Sequence, residues 1–131
     1  MDWKKGDILY GRKGSDAIHP IIFLGGHDDT FFVGAMLTSR NRDNIAMSEE
    51  HFLKSDATGN GYEVFFDQTY LVDALLLKRL QWRPFRKVGQ LTDAGIAFVD
   101  SKIGDSIAAV WEEYVAQGGV SSLMATGKLP E

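Results

Sequence analysis

The chain has 131 residues, of which 44% are hydrophobic and 24% charged, and its formal net charge is −4. These values are typical of one folded domain and exclude a disordered, collagen-like or low-complexity chain. No apolar run reaches the roughly 18 residues of a membrane helix, and the first residues lack the apolar stretch of a signal peptide. The absence of cysteine excludes disulfides and thiolate metal sites. We therefore expect a cytoplasmic protein that does not associate with membranes.

The first third of the chain predicts short strands in a β-hairpin. Residues 8–10 form an apolar run that is followed by a polar loop. Pro20 precedes a β-branched and aromatic run that ends at two glycines, and another apolar run occupies residues 30–37. Proline is tolerated at the first residue of a strand, and glycine favours the turn that follows. Residues 20–37 therefore predict a hairpin, in which Gly34 marks a bulge or a close approach.

The middle of the chain is less regular. Ser48 is a possible cap for a short helix, because two glutamates follow it and negative charge is favoured in a first turn. Residues 62–66 and 69–72 have strand-forming compositions, whereas the run at 74–77 is compatible with a helix or a strand.

A basic segment follows at residues 74–92, within an otherwise acidic protein. It contains no acidic residue, and its cations are Lys78, Arg79, Arg83, Arg86 and Lys87. It is either a solvated basic hairpin or a surface that binds a phosphate backbone. The net negative charge argues against indiscriminate binding of duplex DNA.

The last third predicts one long helix. Thr92 is a suitable N-cap, and the glycines at 118 and 119 would end the helix. Apolar residues recur at spacings of three and four and form one stripe: Ile96, Val99, Ile103, Ile107, Val110 and Tyr114. Strands followed by a helix predict an α+β, β-rich fold, with the strands forming a small antiparallel barrel.

Five motifs, in this order, resemble segments of the MazF/PemK toxin family, also called the Kid family. They are Gly6-Asp7-Ile8-Leu9, His19-Pro20-Ile21-Ile22-Phe23-Leu24, Ala35-Met36-Leu37-Thr38-Ser39, Asp67-Gln68-Thr69-Tyr70-Leu71-Val72-Asp73 and Lys87-Val88-Gly89-Gln90-Leu91-Thr92-Asp93. The fourth is the most specific, because the family carries Asp-Gln, three residues, an aliphatic residue and Asp there. The resemblance covers about residues 5 to 107.

The resemblance implies an SH3-like barrel with a short helix and a long C-terminal helix, usually as a homodimer. It also implies a cytoplasmic endoribonuclease that cleaves single-stranded RNA without a metal or other cofactor and is restrained by an antitoxin. On this basis we expect residues 1–117 to form one domain and residues 118–131 to form a flexible tail.

The resemblance implies catalytic roles for three residues. Metal-free RNA cleavage needs a base for the 2′-hydroxyl, an acid for the leaving oxygen and donors for the phosphate. His19 occupies the position of the family's catalytic arginine, and a histidine suits proton transfer near neutral pH. Thr38 is expected to stabilise the phosphate, and Asp73 to act as a base or to orient another group. Each residue also has a purely structural interpretation, as a polar residue at the end or surface of a strand.

Five further residues are candidates for RNA binding: Arg40, Arg42, Tyr70, Arg79 and Arg83. Tyr70 replaces an arginine of the family and is able to stack on a base, although half-buried tyrosines are common on sheets. The arginines would contact phosphates or simply maintain solubility.

Two other classes of function remain open. Because His19 and Tyr70 replace two arginines of the family, the same barrel is also compatible with a non-catalytic module that binds nucleic acid or protein. A structural or assembly protein is the third interpretation, with the long helix as its dimer element.

Overall fold

The computed structural model describes residues 3–11, 19–39, 41, 43–64, 69–79, 85–110 and 113. In chain order the elements are β1 (Asp7–Gly11), β2 (Ile21–Gly26), β3 (Phe31–Thr38), β4 (Ile45–Ala46), a 3-10 helix (Glu49–His51), β5 (Tyr70–Leu71), β6 (Leu76–Arg79), β7 (Phe85–Gln90), α1 (Asp93–Ile103) and β8 (Ala109–Val110). Most strand pairs are antiparallel, and α1 is the one α-helix among these elements. The expected α+β, β-rich class is confirmed.

The strands form a sheet centred on β3. The order β7-β1-β2-β3 occupies one side, and β3 then pairs with β6 through residues 31–34 and with β5 through residues 37–38. β4 lies beside β5, and β8 pairs with β6 in parallel. The hairpin predicted at 20–37 is confirmed as β2 and β3. Gly34 is a close approach, because a Cβ there would lie 2.7 Å from the side chain of Ile21.

Both faces of this sheet are covered, because neighbouring residues of the central strands enter two different hydrophobic clusters. Ile8 and Ile22 belong to a cluster that also contains Val99 and Ile103 of α1. Leu9 and Ile21, which point the opposite way, belong to a second cluster with Phe23, Phe32, Met36, Val72, Leu76 and Phe85. The central strands are therefore apolar on both sides.

Helix α1 begins where the sequence predicts. The hydroxyl of Thr92 accepts a hydrogen bond from the backbone N–H of Gly95 at 3.0 Å, which is the expected N-cap. The helix rests on the 3-10 helix, where the backbone N–H of Thr92 donates to the carbonyl oxygen of His51 at 3.0 Å. His51 itself is only 6% exposed, and its ring packs 4.3 Å from that of Phe98.

The helix ends earlier than predicted, at Ile103. Gly104 follows it, and the next two residues, Asp105 and Ser106, are poor helix formers. Residues 109–110 form β8, and Ile107, assigned to the apolar stripe, is 93% exposed. The prediction of a helix that continues through residues 104–110 is therefore wrong. The tail predicted at 118–131 lies outside the described residues.

The basic segment does not form a hairpin in the described residues. The ambiguous run at 74–77 leads into β6, which pairs with β3, whereas β7 pairs with β1 on the far side of β2. The strand predicted at 62–66 is described only as far as Val64, whose backbone N–H donates to the carbonyl oxygen of Val88 at 2.8 Å. In the part of the chain that the structure describes, no helix is long and apolar enough to cross a membrane.

Candidate functional site

A surface cleft of about 280 Å³ lies beside the ends of β1 and β3 and the residues that precede β2. Its polar lining comes from Tyr10, His19, Thr38, Ser39, Glu63 and Thr69. Two of the three residues predicted to be catalytic, His19 and Thr38, therefore share one cleft. They come from different motifs, the second and the third.

The register of the β2–β3 hairpin explains this proximity. Ile21 lies opposite Met36, so the same antiparallel register continued outward places position 19 opposite position 38. The backbone N–H of Leu37 donates to the carbonyl oxygen of Pro20 at 2.9 Å, which continues the ladder beyond β2.

The environment of His19 favours its neutral form. Burial lowers the pKa of the ring, a hydrogen bond from the ring to the backbone carbonyl of Leu37 opposes this, and the positive charge of Lys78 lowers the pKa further. The net effect places the pKa below the ordinary 6.5. At neutral pH the half-buried ring is therefore uncharged, and the nitrogen that does not donate to Leu37 is a proton acceptor.

Thr38 is the last residue of β3 and is only 3% exposed. Its backbone pairs with Tyr70 of β5, so the strand end is held in the sheet. Since its side chain is buried in the cleft wall, a ligand reaches it only by entering the cleft.

Asp73 and Tyr70 lie elsewhere. Asp73 is exposed in the bend between β5 and β6 and is not among the residues that line the cleft. Tyr70 is half-buried on β5, with its backbone between Thr38 of β3 and Ala46 of β4. Asp73 is thus not part of the cleft lining that His19 and Thr38 share.

Of the four arginines predicted to bind RNA, the structure describes Arg79. Arg40, Arg42 and Arg83 lie outside the described residues. Arg79 closes β6, with its backbone opposite Phe31.

Sequence reasoning missed an ion pair at the wall of the cleft. The guanidinium of Arg86 makes two hydrogen bonds to the carboxylate of Glu63, one of them between Nη2 and Oε2 at 3.2 Å. Arg86 lies opposite Tyr10 in the β1–β7 register, and its guanidinium is 5.6 Å from the centre of that ring. The hydrogen bond lowers the pKa of Glu63 and raises that of Arg86, so both are charged at neutral pH.

The effect of Lys78 on His19 was not predicted, although Lys78 belongs to the basic segment singled out in the sequence. It is 7% exposed on β6, and its charge acts on His19. The alternation of the strand carries a usable signal, because Lys78 is two residues from the fully buried Leu76 and thus on the same face.

A second ion pair joins the first and last of the five sequence motifs. The ammonium of Lys87 lies 3.1 Å from Oδ1 of Asp7, whose side chain is 3% exposed. The other carboxylate oxygen, Oδ2, accepts a hydrogen bond from the backbone N–H of Lys4. Burial lowers the pKa of Lys87, but the hydrogen bond and charge of Asp7 outweigh it and raise the pKa overall. A Cβ on Gly89 would lie 2.4 Å from the carbonyl oxygen of Val64. These motif residues therefore have structural roles.

Comparison with models of known families gave no match, and searches of curated proteins and of solved structures found no significant similarity. The likeness to the MazF/PemK family thus rests on the five motifs.

The site therefore combines three chemical capabilities. A neutral imidazole can accept a proton, the Thr38 hydroxyl can hydrogen-bond an anionic oxygen, and the guanidinium of Arg86 is bonded to Glu63, a residue of the cleft lining. Among the described residues, no three His, Cys, Asp or Glu side chains are grouped so that they could hold a metal ion.

Proposed function

We propose that the protein is a toxin-like endoribonuclease that cleaves single-stranded RNA without a metal ion. The observation that carries the proposal is that His19 and Thr38, taken from two separate motifs of the MazF/PemK resemblance, line the same cleft. A cytoplasmic homodimer in an SH3-like barrel fold, restrained by an antitoxin protein, belongs to the same proposal.

In this proposal, His19 is the general base. Its free ring nitrogen takes the proton of a 2′-hydroxyl, and the resulting oxygen bonds to the adjacent phosphorus while the bond from phosphorus to the 5′-oxygen breaks. The products are a 2′,3′-cyclic phosphate and a 5′-hydroxyl, whose proton comes from the imidazolium or from water. Thr38 donates a hydrogen bond to a phosphate oxygen as negative charge develops. These steps assign no role to Asp73, which is not among the residues that line the cleft.

The test is the incubation of purified protein with a long single-stranded RNA in excess EDTA. His19→Gln and the nearly isosteric Thr38→Val should each slow cleavage by roughly a hundredfold or more, the usual effect of removing a general base or a transition-state donor. Asp73→Asn is the matched control, because its side chain is exposed and outside the cleft, and it should leave the rate unchanged. Full cleavage by His19→Gln, or loss of cleavage in Asp73→Asn, would contradict the assignment.

The second candidate is a binding module with the same cleft and no catalysis. The position of Asp73 favours it, because the carboxylate carried over from the family's motif is not at the cleft. The same experiment separates the two candidates, since a binding module would shift the RNA on a gel without producing discrete cuts.

A further inference from the structure

Beside the cleft, Arg86 contacts two residues of the lining: it pairs with the carboxylate of Glu63 and lies against the ring of Tyr10. Arg86 lies on β7, and its side chain is 61% exposed, as Glu63 is at 54%. Glu63 and Tyr10 both line the cleft that contains His19 and Thr38. The guanidinium therefore lies next to the cleft, within reach of an anion that displaces Glu63.

A carboxylate and a phosphodiester present the same pattern to a guanidinium. Each offers two anionic oxygens, and the planar fork of arginine binds either one through two parallel hydrogen bonds. The face of the Tyr10 ring, 5.6 Å away, supports the cation during such an exchange. An exposed ion pair contributes little net free energy, so replacing its carboxylate by another anion has a small penalty.

We propose that the Glu63 carboxylate occupies, in the free protein, the position of one backbone phosphate of a single-stranded RNA, and that Arg86 exchanges this carboxylate for the phosphate on binding. The inference rests on the proposed function, because it names the residue that grips the RNA backbone at that site. Glu63 then competes with the RNA phosphate for the guanidinium of Arg86.

The experiment measures the affinity of a 2′-O-methyl RNA oligonucleotide, which lacks the attacking hydroxyl, at several salt concentrations. The variants are Glu63→Gln, Arg86→Gln and the double variant. A second exposed ion pair supplies matched controls: Lys54 and Glu49 lie 2.8 Å apart, are similarly exposed and do not line the cleft. Glu49→Gln and Lys54→Gln change the net charge by the same amounts as the test variants.

Glu63→Gln should bind the oligonucleotide roughly two- to fivefold more tightly than Glu49→Gln, in keeping with the small energy of an exposed pair. Arg86→Gln should bind more weakly than Lys54→Gln. The slope of its log binding constant against log salt concentration should be shallower by about 0.7, the value for one lost phosphate contact on a single strand. When Arg86 is already Gln, adding Glu63→Gln should raise the affinity no more than Glu49→Gln raises that of the wild type, because Glu63 competes only through Arg86.

Each other outcome overturns a distinct statement. Equal affinities of Glu63→Gln and Glu49→Gln, or equal salt slopes of Arg86→Gln and Lys54→Gln, would overturn this inference and leave the proposed function standing. Failure of the wild-type protein to bind the oligonucleotide even at low salt would overturn the proposed function and the inference with it. Preferential, Arg86-dependent binding of a poly-glutamate peptide would assign the subsite to an acidic protein partner instead of RNA.

Discussion

The protonation state of a single residue, His19, determines the chemistry available in the cleft. Burial lowers its pKa below 6.5, so the ring is neutral at physiological pH. If this neutral ring takes the proton of the 2′-hydroxyl, the cleavage rate should fall as the pH decreases through the lowered pKa and should be constant above it. Single-turnover rates measured on a short RNA from about pH 5 to pH 8 check this. A rate that increased on acidification would identify the imidazolium as the essential form and contradict the assignment.

The same pKa shift affects stability independently of any RNA. Between the lowered pKa of folded His19 and the ordinary 6.5, the unfolded chain binds more protons than the folded one. The free energy of unfolding should therefore decrease as the pH falls through this window. His19→Asn removes this contribution, so its stability should depend less on pH there. Urea unfolding of both proteins at about pH 7 and pH 5 makes the comparison, and equal losses on acidification would show that burial does not perturb the ring.

Only part of the candidate site could be predicted from the sequence, and the reason is sequence separation. His19 and Thr38 flank one hairpin, so the local pattern of strands and turn is sufficient to bring them together. Arg86 meets Tyr10 only because β7 pairs with β1, and Glu63 meets Arg86 because Val64 bonds to Val88 of β7; both interactions join distant parts of the chain. Local composition contains no information on that register.

At the scale of secondary structure elements, α1 shows where periodicity stops being informative. Its start follows from the capping geometry of Thr92, which is local. The spacing of three and four continues beyond its end, yet Val110 lies in β8, beside Leu77 of β6. The spacing cannot distinguish a continued helix from a short strand that a neighbouring strand stabilises.

The contact between α1 and the 3-10 helix depends on Gly95. A Cβ at this position would lie 2.3 Å from the carbonyl oxygen of His51. Helix propensity alone predicts that Gly95→Ala stabilises the protein by about 1 kcal/mol. We expect the clash to reverse the sign and to destabilise the protein by about 1–3 kcal/mol, as overpacking does. Thermal unfolding measures the change, and Ala97→Gly at an exposed position of α1 calibrates the propensity alone. Stabilisation by Gly95→Ala would show that the two elements separate easily.

The pairing of β1 with β7 includes the ion pair between Asp7 and Lys87. Asp7 is 3% exposed, so Lys87→Gln leaves a buried carboxylate without its cation. We expect a loss of about 3 kcal/mol in the free energy of unfolding, as for other broken buried pairs. Lys54→Gln, which breaks the exposed pair with Glu49, should cost at most about 1 kcal/mol. Urea unfolding of the two variants compares them directly, and equal losses would mean that Asp7 is solvated in solution.

At the scale of the whole molecule, the sequence predicts the fold class better than the topology. The order of strands followed by a helix is visible in the hydrophobic pattern, and the α+β class follows from it. Strand pairing is harder to predict from the sequence. Strands β6 and β7 are consecutive, yet they pair with β3 and β1 respectively, on opposite sides of β2. A pattern of apolar runs does not specify which strands become neighbours.

The two hydrophobic clusters cover opposite faces of the same strands, so we expect them to unfold together. Phe32 is fully buried in the second cluster, with its ring centre 5.3 Å from that of Phe23 and 5.4 Å from that of Phe85. Phe32→Ala should cost about 3–5 kcal/mol, a large share of the stability of a small domain.

Helix α1 packs on the other hydrophobic cluster and contributes no residue to the cluster of Phe32. Its circular dichroism signal therefore tests whether the domain unfolds cooperatively. In the wild type and in Phe32→Ala, thermal unfolding followed by helical circular dichroism and by near-ultraviolet aromatic circular dichroism should give coincident single transitions. Both transitions should shift to lower temperature together in the variant. Leu53→Ala, at a residue that is 36% exposed, controls for the loss of a large apolar side chain and should shift them much less. A helical transition that stayed at the wild-type temperature while the aromatic one moved would show that the two faces of the sheet unfold independently.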